Sequence, residues 1–514
     1  MTAESILKES GARGGFGDRI NPIVVKELRQ AVQSRFVIAT LLTLLSIQIV
    51  AIGIYILASG ASLFGFDAGR QAFLMLFSIL QSIGMIFAPL YTGARLVAER
   101  SDTNVDLLFI TTIKPRSIIA GKMFAAMTLT ALIYSACMPF MTFTYFLRGI
   151  DLPSIFISLG VGFVVVIACV QAAVFVALIP VGRALKVIFG LVALIVFGVA
   201  YFVTVFGVSD LVTRGFVTRV SWQLVVFFGV LVVFLIGLFF VMSVALIMPV
   251  ASNRALPVRL FITAAWLSTG VAALINISIE KDQRMLIAWL VAFEIVFAMA
   301  IFVAVSERDR PGRRVLRSIP RSPLGRALAF FFFSGAANGL AWASVMVVLT
   351  LGVAVACVEL FSTHRNTNDL IDSAKWMGGM CLYFFCYATT GALLRRRLFS
   401  RVGTELTWLI GAILLAVGSL APFLTGYIVF FHDQWWSEDF GAWWVGNPFA
   451  WGNKGHRVLY ASVGGVWAVH VAAMSLPWFI ERVRSFRPPP RVEAGDAIES
   501  VPRAIASESP SATD

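Results

Sequence analysis

The chain has 514 residues, 59% of them hydrophobic and only 13% charged, with a mean hydropathy of +0.87. A soluble core cannot absorb that much apolar surface, so a soluble domain is excluded and an integral membrane protein is implied. The formal charge of +13 would suit nucleic-acid binding, but its placement along the chain excludes that reading too.

Residues 1–20 are polar and Gly-rich and read as a flexible N-terminus. They hold no apolar core, so no cleavable signal peptide is expected, and the first span would serve as an uncleaved insertion signal. Asn21-Pro22 then opens an amphipathic segment, with Asn suited to the cap and Pro to the first helical position. Val24, Leu28, Ala31, Val32 and Phe36 fall at helical spacing, while Lys26, Glu27, Arg29, Gln30 and Gln33 face elsewhere. This pattern predicts a basic helix lying in the inner headgroup plane, with an ordinary juxtamembrane flank as the alternative.

A helix needs roughly 20 apolar residues to cross the hydrocarbon core. Twelve segments qualify: 36–58, 72–93, 124–147, 154–180, 187–208, 223–249, 259–279, 285–305, 340–361, 376–394, 404–431 and 459–480. Phe330 to Phe333 are ambiguous, reading either as an interfacial turn or as the start of the ninth span. Continuous apolar runs argue against a β-barrel, whose strands alternate. With the N-terminus inside, the inside segments carry most of the Lys and Arg, including Arg308, Arg310, Arg313, Arg314, Arg317, Arg321, Arg326, Arg395, Arg396, Arg397 and Arg401. This is the positive-inside asymmetry, and it places both termini in the cytoplasm. Cys137, Cys169, Cys357, Cys381 and Cys386 all fall within predicted spans, as small buried apolar residues with no disulfide framework or zinc spacing.

Three connections are long: the cytoplasmic loops 94–123 and 306–328, and the external loop 432–458. The external loop holds Trp435, Trp436, Trp443, Trp444 and Trp451, which predicts short helices on the outer surface with indoles in the membrane interface. His432, Asp433, Glu438, Asp439 and His456 lie there too, without the spacing of a dedicated metal site. Residues 485–514, opened by Arg487-Pro488-Pro489-Pro490, read as a disordered cytoplasmic tail.

The two cytoplasmic loops look related. Val97-Ala98-Glu99-Arg100 opens one and Val305-Ser306-Glu307-Arg308 the other, and aligning Glu99 with Glu307 places Leu108 on Leu316. The expected organisation is therefore two six-span halves in parallel orientation, 21–250 and 251–484, the second degenerate. Asn253 to Pro257 is only a stub of the first half's entry helix.

Among polar residues within spans, Glu294 is the strongest functional candidate, because a charge at that depth is costly. His470 is the other titratable group there, and a Glu294–His470 pair is conceivable. Glu359 and Glu405 sit nearer span ends. Gln48, Gln81, Gln171 and Asn276 read as hydrogen-bonding glue between helices, and Pro89, Pro139 and Pro180 as kinks.

The first quarter of the chain resembles the permease subunit of ABC-2 type transporters, a family of ABC exporters. Those permeases commonly begin with Asn-Pro-Ile-x-x-Lys-Glu-Leu-Arg, and here the sequence reads Asn21-Pro22-Ile23-Val24-Val25-Lys26-Glu27-Leu28-Arg29. After the second span the family carries Glu-Arg, Glu-Leu-Leu, Thr-Pro and Gly-Lys. Here Glu99-Arg100, Asp106-Leu107-Leu108, Thr111-Thr112 and Gly121-Lys122 follow in that order, with Thr112 in place of the usual Pro. In the second half Pro320 falls where that Pro would be expected, but Gly-Lys is missing.

The resemblance implies a loop that docks as a short coupling helix on a separate ABC ATPase subunit, with Glu99, Arg100, Asp106, Leu107, Leu108, Thr111 and Lys122 as its coupling residues. Polar contacts from such a loop around an apolar anchor at Leu107 and Leu108 would suit a groove on the partner. ATP and Mg would sit on that partner, since this chain has no Gly-x-x-x-x-Gly-Lys-Ser/Thr loop. The implied role is ATP-driven movement, by family analogy export, of an unidentified substrate across the plasma (inner) membrane, with membrane lipids as further partners. Two other classes stay open at this point: a non-transporting membrane scaffold or assembly factor, and a membrane-embedded lipid-modifying enzyme. For the latter the four His, at 364, 432, 456 and 470, form no paired motif.

Overall fold

The computed structural model describes residues 22–60, 67–101, 114–214, 219–249, 251–280, 283–309, 312–361, 368–429, 444–452 and 455–489. These residues are helical with no strand among them, and twelve of their helices are long and apolar enough to cross a membrane. They run in the order α1 (Pro22–Val32), α2 (Arg35–Ser59), α3 (Ala68–Ser101), α4 (Pro115–Phe143), α5 (Leu152–Leu178), α6 (Arg183–Arg214), α7 (Arg219–Ile247), α8 (Ala255–Glu280), α9 (Arg284–Ala304), α10 (Arg313–Arg317), α11 (Pro323–Phe332), α12 (Ala336–Phe361), α13 (Asn368–Arg397), α14 (Thr407–Val429) and α15 (Arg457–Ser485). All but α1, α10 and α11 are candidate spans, and each falls on one of the twelve apolar segments of the sequence. The chain divides into two compact units, Met1–Met248 with Phe261–Ala265, and Pro249–Leu260 with Trp266–Asp514.

In the first unit α5 is the hub, packing on α3, α4, α6 and α7. Its core joins Phe73, Phe77 and Leu80 of α3 to Ile133, Cys137 and Met141 of α4 and Val166 and Val170 of α5. Polar glue sits inside this apolar packing. Gln81 Nε2 donates to the Gly162 carbonyl at 3.1 Å, and the Tyr134 hydroxyl donates to Gln81 Oε1 at 2.6 Å. Gln171 Nε2 likewise reaches Ser243 Oγ at 3.3 Å. Without water in the bilayer, each of these groups would otherwise be left unpaired. Gln48 departs from the expected role: it is fully buried beside Cys137 with no hydrogen bond of good geometry to either side-chain atom. Pro89 and Pro139 lie inside helices, but Pro180 lies beyond the end of α5, so it stops a helix rather than bending one.

In the second unit α13 is the hub, packing on α9, α12, α14 and α15. The aromatic-rich segment before α15 behaves differently from a surface belt. Trp451 is buried, edge-on to Tyr383 at 6.0 Å, while the Tyr387 hydroxyl donates to the Gly446 carbonyl at 2.6 Å. Arg457 holds the segment by donating to the Trp451 carbonyl at 2.9 Å and pairing with Asp372 at 2.7 Å. Trp451 is thus a core residue, not the interfacial indole its composition suggests; Trp435, Trp436 and Trp443 lie outside the described residues. Gly379 makes this insertion possible, since a Cβ there would overlap the Trp451 ring. Gly379→Ala is expected to lower stability by about 1–3 kcal/mol. In a double-mutant cycle measured by unfolding in detergent, Trp451→Ala should absorb most of that loss.

The ambiguous stretch at Phe330 resolves into a separate helix. Ser322 caps α11, accepting from the Gly325 N–H at 3.3 Å, and Pro323 occupies its first turn. Phe333 is extended, Gly335 takes a positive φ of 151°, and α12 starts anew at Ala336. Phe486 packs with Phe330 and Phe333, so the first residues of the expected tail are packed, and 490–514 lie outside the described residues.

Candidate functional site

Two polar junctions stand out, one in each unit. The first is built from three helices of the first unit. On α1 the packed face is Val24, Glu27 and Ala31, at i, i+3 and i+7, and it lies on α4. This corrects the expectation that Glu27 faces away with the other charges: its carboxylate is turned inward, while Val25 and Val32 are exposed. The helix register explains this, because position 27 falls between two small apolar residues on the docking face. The turn into α2 is pinned by Phe36, whose ring lies 5.3 Å from Phe87 and 6.4 Å from Tyr91 of α3.

Helices α3 and α4 both extend beyond their apolar segments, so Glu99 and Gly121-Lys122 are helical rather than part of a loop. The connection shrinks to 102–114. Lys122 Nζ then donates to Glu27 Oε1 at 2.7 Å and to Glu99 Oε2 at 2.5 Å. Arg95, one turn before Glu99, lies 3.6 Å from Glu27 and 3.9 Å from Glu99, and donates to the Tyr91 hydroxyl at 2.8 Å and to Gln30 Oε1. Two carboxylates and two cations thus neutralise each other in a mostly buried setting, with Glu27 and Lys122 the more buried members. The pocket here has a volume of about 30 Å³, the space of about one water. The junction therefore fastens α1, α3 and α4 to one another.

Of the sequence-predicted coupling residues, the structure brings Glu99 and Lys122 together. Arg100 lies in the last turn of α3, and Asp106, Leu107, Leu108 and Thr111 fall outside the described residues. Glu27 was missed as a site residue because amphipathic patterning assigns every charge to the wet face. The three motif fragments, Asn-Pro helix, Glu-Arg and Gly-Lys, each send one residue to this single point, and the 102–113 segment springs from it.

The second junction involves Glu307, the residue aligned with Glu99. Its Oε1 pairs with Arg259 of α8, and its Oε2 accepts from the Gly335 N–H at 2.7 Å. Arg259 is nearly fully buried and also donates to the carbonyls of Phe331 at 3.0 Å and Phe333 at 2.6 Å. Asn253 donates to the Phe332 carbonyl at 3.2 Å and Asn338 to that of Phe330 at 2.7 Å. The end of a helix leaves four carbonyls without intrahelical partners. Here four successive carbonyls, 330 to 333, are taken by side chains. That is why the chain breaks at this point between two apolar helices. Arg259 left no signal of its own, since a lone Arg at the start of a span reads as flanking charge.

Glu294 of α9 is fully buried, and its Oε2 accepts from the Cys381 thiol of α13 at 2.9 Å, while Oε1 has no partner. His470 of α15 is exposed on its helix, so the conceivable Glu294–His470 pair is not formed and Cys381 takes that place. The remaining cysteines are free and buried, in keeping with their reading as small apolar residues. No protein family, curated protein or solved structure matches this chain.

Proposed function

We propose that this chain is the membrane-spanning subunit of an ABC-2 type transporter, built as two fused six-span halves and driven by ATP hydrolysed on a separate ATPase subunit. The observation that carries this reading is the convergence of Glu27, Glu99 and Lys122. These residues come from three separated motif fragments, and they clamp both ends of the 102–113 segment to one rigid point. A soluble ATPase gripping that segment would act on α3 and α4 together, and through Glu27 on α1. Force applied at the surface then reaches the second and third spans as one body. In this reading the segment and both termini face the cytoplasm across the plasma membrane, and the direction of transport is outward. The substrate class is unassigned.

Repetition in burial supports the fused-halves layout. The fourth span of each half is among the most buried, with 56% of the most apolar stretch of α5 and 67% of that of α13 inside the protein. The second spans are comparable, at 56% and 50%, and the fifth spans are barely buried, at 6% and 11%. Such ranking is what two copies of one bundle would give. The Glu99 and Glu307 carboxylates, at matching places, each capture a cation, but from different elements, which suits a second half that has diverged.

Affinity purification of the full chain from its native membranes should bring down a protein with a phosphate-binding loop. Asp106→Arg combined with Leu107→Glu should remove that protein while leaving the amount of folded chain unchanged. Absence of any ATPase from the wild-type sample would contradict the proposal and favour a scaffold.

A further inference from the structure

The segment 312–332 between α9 and α12 has two distinct sides. One side is anchored: Val315, Ile319, Phe330 and Phe333 are buried with Ala337 and Phe486. The other side is open. Leu324 and Leu328, one turn apart on α11, are 80% and 65% exposed. Arg313, Arg314, Arg317 and Arg321 are exposed beside them. From Gly312 to Phe332 the sequence holds Arg313, Arg314, Arg317, Arg321 and Arg326, and no acidic residue.

Nearby acids do not offset this charge. Glu307 is committed to Arg259, Asp309 lies 3.9 Å from both Arg396 and Arg482, and Glu405 pairs with Arg308 at 2.5 Å. Asp309 also accepts from the Trp478 indole at 3.2 Å, and Arg396 stacks 3.7 Å over that ring. The five arginines of the segment have no ion-pair partner among the described residues.

We infer that α10 and α11 form a docking platform for acidic phospholipid headgroups of the leaflet that α9 and α12 enter. The exposed leucines would sink among the acyl chains, and the arginines would meet the phosphates. Position selects this occupant: the C-terminal end of α11 is tied to the start of α8 by Arg259 and Asn253 and to the first turn of α12 by Asn338, so its open face stays at the mouth of a span. Charge selects it too, since juxtamembrane arginines gain from an anionic surface while leucines gain from leaving water. Ordinary flanking charge explains the arginines alone, but not two bare leucines on a helix held rigidly from behind. The inference does not depend on the energy source of the protein.

The test uses the full chain in lipid nanodiscs, carrying an environment-sensitive fluorophore on Leu328→Cys. The native cysteines among the described residues are buried and should label poorly. In discs of phosphatidylcholine mixed with phosphatidylglycerol, the label should be quenched by lipid-borne quencher and shielded from aqueous quencher. Arg313→Gln with Arg314→Gln should raise the phosphatidylglycerol needed by about tenfold. Leu324→Ser, which keeps the charge, should shift the label toward water without changing the preference for acidic lipid. Equal shielding in pure phosphatidylcholine would overturn the proposal. So would displacement by inorganic phosphate, which would indicate a free-anion site, or shielding that appears only when an acidic protein is added.

Discussion

Arg259→Met should cost the second unit roughly 3–5 kcal/mol, the usual scale for removing one partner of a buried ion pair. The substitution strips Glu307 of its cation and frees the Phe331 and Phe333 carbonyls at once. A freed carbonyl away from water adds its own desolvation penalty. Arg259→Lys should recover part of the loss, because an ammonium can pair with Glu307 but cannot also span two carbonyls with a planar fork. Unfolding in detergent measures the stability, and limited proteolysis at 320–335 locates the damage. A variant as stable as the parent would show that the strap on Phe330 to Phe333 is unimportant.

Lys122→Met should cost roughly 3 kcal/mol, the scale for removing one partner of a buried ion pair, because it leaves Glu27 only the more distant Arg95, at 3.6 Å. The cost should be concentrated at Glu27, whose side chain is far less exposed than that of Glu99. Glu27→Gln should therefore destabilise more than Glu99→Gln, whose carboxylate is better screened by solvent. Combining Lys122→Met with Glu27→Met should cost less than the sum of the single changes, since an apolar pair replaces a buried ionic one. The same unfolding assay checks this order. Equal effects at Glu27 and Glu99 would mean that the junction is an ordinary surface network.

The membrane architecture was legible because hydropathy depends on composition over a whole span, and all twelve apolar segments became helices. What hydropathy could not show was how far helices continue past the apolar zone. α3 runs to Ser101 and α4 begins at Pro115, because polar turns outside the hydrocarbon carry no apolar signal. Glu99 and Lys122 were found as motif residues, but their meeting with Glu27 was not. Helical periodicity separates apolar from polar residues, and it cannot tell a charge facing water from one facing an opposite charge on another helix. Arg259 was hidden for the same reason, and Trp451 because an indole serves equally well in a core and at an interface.

Glu294 and Cys381 form a buried pair that neither junction uses. The cost of a charge at that depth makes the carboxyl a reason for α9 and α13 to stay together. Its place at the hub of the second unit ties it to the packing of α9 on α13.

Crosslinking of native membranes through Lys114 tests the central claim most directly. Lys114 is exposed at the start of α4, beside the 102–113 segment. The proposal predicts amine-reactive links from Lys114 to a polypeptide that carries a phosphate-binding loop, and none from Lys454, which the proposed topology would put on the opposite side. Links from Lys454 to such a protein, or none from Lys114, would contradict it.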